Sequence, residues 1–318
     1  MQPVLSHSLS LVVPVYGNEA SIDALLDAIR AIHDRVADFE AVFVVDGSPD
    51  RSYALLRERL PGAGFPSQLI SLSRNFGSFS AIRVGLEKAR GDVIAVMAAD
   101  LQEPPALVLS FHETLSAGDH DVAFGVRGQR SDPWPGRLAS SLFWWSYRRF
   151  VLSDIPKGGV DIFAVTARFR DRLIALTESH TSLLAQLFWL GGRRAFIGYD
   201  RRPRQHGKSA WTLRKKLRYL SDSVFAFTDL PVRMLIAIGS VSMLVAIVLS
   251  IVTLAAKLSG LLQVPGYAGT MLVILFFGAF NSLALGVVGM YAWRAFENTK
   301  GRPLAVIQSE ELFDEESA

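Results

Sequence analysis

Two long apolar runs without a single charge, Met234–Ala256 and Ala268–Trp293, constrain this chain more than any other feature. As a helix rising about 1.5 Å per residue, the first would extend roughly 34 Å, enough to cross a bilayer core. The second carries only Asn281 and small polar residues inside it. The link between them, Lys257–Tyr267, is short and contains Pro265. The pair reads as a transmembrane hairpin; the alternative is a buried helical hairpin of a soluble protein. Flanking charge orients it. Arg201–Arg218 and Arg233 precede the first run, Arg294, Lys300 and Arg302 follow the second, and the link holds only Lys257. Basic flanks stay on the cytoplasmic side, so both termini are expected there, at the inner (plasma) membrane.

The 318 residues leave room for one sizeable domain ahead of the hairpin. Half of the residues are hydrophobic, but the excess lies after Pro231. The chain has no cysteine, which excludes disulfides, thiolate catalysis and zinc–cysteine sites. Its six histidines are scattered without a metal-ligand spacing, and none is assigned to catalysis. The N-terminus lacks a basic segment followed by a long apolar core, so no secretory signal is expected.

The front of the chain alternates strand-like and helix-like segments. Leu9–Val15 is apolar and β-branched, with Pro14 placing it at an edge or a strand end. A turn, Tyr16-Gly17-Asn18-Glu19, leads into Ser21–Ile32, whose Ile22, Leu25, Leu26 and Ile29 fall at helical spacing. Ala41–Val45 is a second buried strand, ending in Asp46-Gly47-Ser48-Pro49-Asp50. Strand Gln68–Leu72, loop Ser73–Gly77 and helix Ser78–Ala89 follow, then strand Val93–Met97 and a further strand at Asp121–Gly125. Helices are expected over Ala167–Glu178 and Thr181–Leu190. This rhythm predicts a mostly parallel α/β sheet with helices on both faces and the loops after the strands on one edge.

Those loops share a chemistry. Met97–Pro105, MAADLQEPP, sets Asp100, Gln102 and Glu103 just past a buried strand, and two prolines prevent the strand from continuing. Oxygen side chains at the carboxyl ends of parallel strands are where an open α/β sheet holds its ligand. Hard oxygen donors suit Mg²⁺ or Mn²⁺, and these suit a diphosphate. The competing reading is a polar loop with a helix-capping carboxylate. Tyr16, Asp46, Asp50, Arg74, Asn75, Asp100 and Gln102 would converge on this edge. Neither GxGxxG nor GxxxxGK[ST] occurs, so a dinucleotide fold or a P-loop is not indicated.

Farther on, Arg127, Arg130, Arg137, Ser140 and Ser141 lead into Leu142–Tyr147. This is either an aromatic-faced helix or a cationic, aromatic-lined groove for an amphiphilic anion. Lys157-Gly158-Gly159-Val160-Asp161 delivers one acid, which is either a turn carboxylate or a site residue. Arg193–Ser209 is dense in basic residues, either a solvated face or a phosphate-facing loop. Trp211–Leu230 combines basic and apolar residues at helical spacing directly before the hairpin, which fits a helix lying in the bilayer interface. No nucleic-acid motif accompanies the charge, so no nucleic-acid partner is expected. Four parts result: a cytoplasmic catalytic domain over 1–209, interfacial helices over 210–231, two transmembrane helices within 232–294 (about 234–256 and 268–293), and an acidic cytoplasmic tail over 295–318. Small residues such as Gly286 and Gly289 in the second run fit helix packing between copies, a homo-oligomer.

Together these features resemble the family 2, GT-A-fold glycosyltransferases, above all those acting on polyprenyl phosphates, such as dolichol-phosphate mannose synthases and bacterial bactoprenol glucosyltransferases. The likeness rests on Val13–Glu19, Val45–Asp50, Leu72–Gly77, Ala99–Pro105, Gly158–Asp161, Arg201–Ser209 and the two apolar runs, in this order and spacing. It implies a UDP- or GDP-sugar donor held by Pro14, Tyr16, Glu19, Asp46 and Arg74, and a divalent metal on Asp100 and Gln102. It implies an acceptor phosphate on Arg127, Arg137 and Ser141, a mobile diphosphate loop carrying Arg204 and Lys208, and Asp161 orienting the acceptor. Asp100, Asp161, Arg127 and Arg137 are then the residues expected to carry catalysis. The family's first motif aspartate is replaced here by Ala98, which leaves room for a weakened metal site, an altered donor or an inactive homologue. A polysaccharide synthase would share the front domain, but its usual Gln-x-x-Arg-Trp segment is missing from the chain.

Overall fold

The structure is a computed structural model, and it describes residues 7–128, 148, 154–156, 160, 162–178, 181–201, 221–226, 228, 230–259 and 267–314. Its strands are β1 (Leu9–Val15), β2 (Phe39–Val45), β3 (Ser67–Leu72), β4 (Val93–Val96), β5 (Val122–Arg127), β6 (Phe163–Thr166), β7 (Arg194–Tyr199) and β8 (Ile307–Phe313). Its helices are α1 (Ile22–His33), α2 (Ser52–Arg59), α3 (Ser78–Lys88), α4 (Pro105–Ser116), α5 (Ala167–Ile174), α6 (Leu183–Trp189), α7 (Leu230–Leu258) and α8 (Tyr267–Thr299). One sheet takes the order β7-β5-β6-β4-β1-β2-β3-β8. β1 pairs in parallel with β2 and β4, β2 with β3, and β5 with β7. β6 lies antiparallel between β4 and β5, so β5 and β7 run in the same direction as β1 to β4.

Alternation along β1 explains its two-sided burial. Leu9, Leu11, Val13 and Val15 face a core shared with Leu25 and Ile29 of α1, Leu56 of α2 and Phe111 of α4. Val12 faces the other way, against α3, so closely that a Cβ on Gly85 would lie 2.3 Å from its Cγ1. Arg83 of α3 donates to the Ile174 carbonyl at 2.6 Å and so ties α5 to this second layer. Pro14 sits in a central strand without cost. Val12 O accepts from Met97 on the β4 side and Val15 O from Asp46 on the β2 side. Pro14, two residues after Val12, therefore turns its missing N–H toward β4 beyond the end of that ladder.

Two strands depart from the expected pattern. β6 is a short antiparallel insertion within the parallel set. β8 comes from the acidic tail: residues 307–313 form an antiparallel edge strand on β3. The tail therefore belongs to the front unit, Met1–Leu217 with Arg302–Ala318, while Arg218–Gly301 forms a separate unit. Its acids have specific partners. Tyr53 Oη donates to Glu311 at 2.7 Å, Arg57 pairs with Glu311 at 2.9 Å, and Lys88 pairs with Glu310 at 2.5 Å. Neighbouring residues of a strand point to opposite faces, so β8 grips α2 on one face of the sheet and α3 on the other.

In the second unit, α7 begins earlier than the sequence pattern indicated and α8 extends beyond it on both sides. Leu230–Leu249 and Phe276–Thr299 are long and apolar enough to cross a membrane, with 6% and 0% of these segments buried. A core hairpin of a soluble protein would be mostly buried. Arg294 of α8 donates to Asp222 at 2.7 Å, and Phe225 packs edge-on against Tyr291. Of the amphipathic stretch 211–230, residues 211–220, 227 and 229 lie outside the described residues.

Candidate active site

The parallel direction of β1 to β5 and β7 brings the loops after these strands to one edge of the sheet. The first two loops are stitched together by side chains. The Gly17 N–H donates to Ser48 Oγ at 2.8 Å and the Asn18 N–H to Ser52 Oγ at 3.2 Å. The loops also bond through carboxylates: the Glu19 N–H donates to Asp50 Oδ2, and the Arg51 N–H donates to Glu19 Oε2, both at 3.0 Å. Burial works to raise the Asp50 pKa, but hydrogen bonds from Ser48, Ser52 and the Glu19 amide outweigh it and hold the carboxyl below its ordinary value. Tyr16, on the same loop, is 46% exposed and presents its ring at the edge.

Asp46 is 2% exposed, and its two oxygens accept the Phe76 and Gly77 amides at 2.7 and 2.8 Å. It clamps the loop after β3 rather than standing open at the edge. Gly47 makes this approach sterically feasible. At φ +55°, a Cβ there would lie 2.3 Å from Arg74 C and 2.5 Å from Asn75 N. Arg74 is exposed and folds over the Phe76 ring at 4.0 Å. Asp46, expected to meet the donor, thus also ties the β2 loop to the β3 loop.

The turn after β4 carries Leu101 at φ +53°, the one non-glycine residue with positive φ among those described. A branched side chain there signals local strain. The hydrogen bonds within the turn are long: Leu101 N to Ala98 O at 3.3 Å and Gln102 N to Asp100 Oδ1 at 3.4 Å. Asp100 is half-buried, whereas Gln102 and Glu103 are buried. Gln102, expected as a metal ligand, accepts at its amide oxygen from the Arg201 guanidinium. Arg201 also lies 3.9 Å from Glu103 Oε1. Pro105 then opens α4, its fixed φ suited to a first helical turn.

Arg127 ends β5 opposite Tyr199 on this same edge. Arg137, Ser141, Asp161, Arg204 and Lys208 lie outside the described residues. The residues that sequence reasoning passed over are the tying ones: Ser48, Ser52, and Arg201 as a partner of the β4 turn. Arg201 and Gln102 are 99 residues apart, so no local spacing links them. Among the described residues, no group of three or more His, Asp or Glu side chains converges as a ready metal cage. The turn after β4 offers Asp100, a half-buried carboxylate among oxygen side chains. That donor set fits Mg²⁺ or Mn²⁺ bound by one or two carboxylates, waters and substrate phosphates.

The family model described as glycosyl transferase family 2 matches residues 10–175. An uncharacterised glycosyltransferase of Synechocystis is 28% identical over 94% of both chains. The putative glycosyltransferase CsbB of Bacillus subtilis is 28% identical over 94% of this chain and 91% of its own. The undecaprenyl-phosphate 4-deoxy-4-formamido-L-arabinose transferase of Aeromonas hydrophila is 30% identical over 93% of this chain and 91% of its own.

Proposed function

The chain belongs to glycosyl transferase family 2, and on that premise we propose that it transfers a sugar from a UDP- or GDP-sugar to a polyprenyl phosphate at a membrane surface. Undecaprenyl phosphate is the first acceptor to test, and the product would be a lipid-linked sugar for envelope glycan modification. The observation that carries this reading is the reach of the likeness. Relatives named for undecaprenyl-phosphate transfer match over 93–97% of the chain, a span that takes in both apolar helices as well as the sheet domain.

In the proposed reaction an acceptor phosphate oxygen attacks the anomeric carbon. A carbon–oxygen bond forms as the bond to the nucleoside diphosphate breaks, with inversion. A phosphate monoester is already anionic near neutral pH, so the attack needs cationic positioning more than a strong base. Arg127, Arg137 and Ser141 are assigned to hold that phosphate, with Asp161 orienting it. Tyr16, Glu19 and Arg74 line the donor side, and Arg204 and Lys208 close over the diphosphate. Asp100 would hold Mg²⁺ or Mn²⁺, which when bound neutralises charge on the leaving diphosphate. The catalytic domain and both termini are assigned to the cytoplasmic side of the plasma membrane.

The test is a donor screen with the full chain in membranes, with undecaprenyl phosphate, Mg²⁺ and Mn²⁺, comparing wild type with Asp100→Ala. Transfer that needs metal and falls by about 100-fold or more in the variant supports the assignment. No transfer from any donor, together with no metal-dependent nucleotide binding, would instead support an inactive homologue, the reading that Ala98 favours.

A further inference from the structure

The turn that presents Asp100 is strained, yet its own backbone contacts are weak. Leu101 sits at φ +53°, and the two hydrogen bonds inside the turn are 3.3 and 3.4 Å long. A strained residue persists only where its surroundings hold it. Pro104 and Pro105 stiffen the exit from the turn but cannot reach back to Asp100. Arg201, two residues past β7, makes a charge-assisted contact on this turn. Its guanidinium donates to Gln102 Oε1 and lies 3.9 Å from Glu103 Oε1. Glu103 is 2% exposed and Gln102 9%, so water screens these contacts little.

We propose that Arg201 is a positioning residue: by donating to Gln102 and standing beside the Glu103 carboxylate it holds the Leu101 turn in shape and so fixes Asp100 for a cation-bound nucleotide diphosphate. Its planar guanidinium keeps its charge when partly buried and donates in a fixed direction, which a lysine ammonium does less well. Arg201 acts through the turn and makes no contact with the donor itself. The proposal rests on reading the Asp100 turn as a nucleotide–cation site.

The experiment measures binding of UDP and GDP to the full chain in detergent by calorimetry, with and without Mn²⁺. No turnover is needed. Wild-type binding that is strengthened by Mn²⁺ supports the reading of the site; its absence overturns that reading and this assignment with it. Given wild-type binding, Arg201→Ala should weaken the Mn²⁺-dependent binding roughly tenfold, about 1.4 kcal/mol, and leave metal-free binding unchanged. Arg201→Lys should recover part of the loss. Glu103→Gln should shift binding in the same direction as Arg201→Ala, and the double variant should fall short of the sum of the two.

Three results would overturn the assignment. Unchanged Mn²⁺-dependent binding in Arg201→Ala means the turn needs no latch. Equal weakening with and without Mn²⁺ means Arg201 contacts the diphosphate directly. Tighter binding in Arg201→Ala means the guanidinium competes for Gln102 rather than supporting the turn. Thermal melts of each variant separate these effects from loss of fold.

Discussion

Replacing Gly47 by alanine would put a methyl carbon 2.3 Å from Arg74 C, 2.5 Å from Asn75 N and 2.7 Å from Arg74 Cα. Ordinary contact begins near 3.4 Å, so the Arg74–Asn75 peptide would have to retreat by about 1 Å. That peptide is not free to move, because the next two amides donate to Asp46 at 2.7 and 2.8 Å. A retreat of that size strains both bonds and, where it carries the amides with it, lengthens them beyond hydrogen-bonding range. Hydrogen bonds to a charged group contribute about 1.5–3 kcal/mol each, and a non-glycine residue in the left-handed region costs about 1–2 kcal/mol. Allowing for partial relaxation, the variant should lose about 3–5 kcal/mol, which for a domain of this size lowers Tm by roughly 6–20 °C. Gly17→Ala provides the control. Its φ is +69°, but nothing lies within 4 Å of the added carbon, so only the backbone cost of about 1–2 kcal/mol applies. Thermal unfolding of both variants, alongside the KM for the nucleotide-sugar, isolates the steric part. Equal Tm losses at the two positions, with donor KM unchanged in Gly47→Ala, would refute the coupling between the β2 and β3 loops.

Burial pushes the His112 imidazole below its ordinary pKa, although its hydrogen bond to the His7 carbonyl works the other way. The unfolded chain then binds the proton first, so this stability is fully present above the unfolded pKa near 6.5 and is lost as pH falls toward the folded value. Wild type should therefore lose more Tm between pH 7.5 and 5.5 than His112→Gln does, and parallel pH profiles would show that the burial is not felt. The Tyr53 hydroxyl, followed by Arg57, holds Glu311 below its usual carboxylate range against a smaller effect of burial. Tyr53→Phe removes that donor and should speed amide exchange across Ile307–Phe313 by about 2- to 10-fold; unchanged protection would mean that the backbone ladder alone retains β8. Ala98→Asp restores a carboxylate beside Asp100 and should tighten Mn²⁺-dependent nucleotide binding by about tenfold. If neither affinity nor rate moves, the missing carboxylate is not limiting. Single cysteines at Ser259 and Ser317, introduced into a chain that has none, should label from opposite sides of the membrane, and labelling from the same side would rule out the hairpin topology.

What the sequence by itself determined was carried by short-range patterns. Short β-branched apolar runs such as Leu9–Val15 and Ala41–Val45, closed by turn residues, point to buried strands, the spacing of Ile22, Leu25 and Ile29 makes a one-faced helix, and their alternation implies parallel strands with polar loops on one edge. The two charge-free runs were equally plain, because a continuous apolar stretch needs no partner to be recognised. The tertiary structure decided the contacts between residues far apart in the chain. Glu310 and Glu311 look like part of a solvated acidic tail until β8 is seen to pair with β3 and meet Tyr53, Arg57 and Lys88. Nothing local in the sequence shows that both oxygens of Asp46 accept amides of another loop. Nothing local in the sequence links Gln102 to Arg201, 99 residues later, whose guanidinium meets its amide oxygen. Periodicity records which face of an element is buried, whereas strand order, edge pairing and loop-to-loop hydrogen bonds are settled when distant segments compete for the same partners in the folded chain.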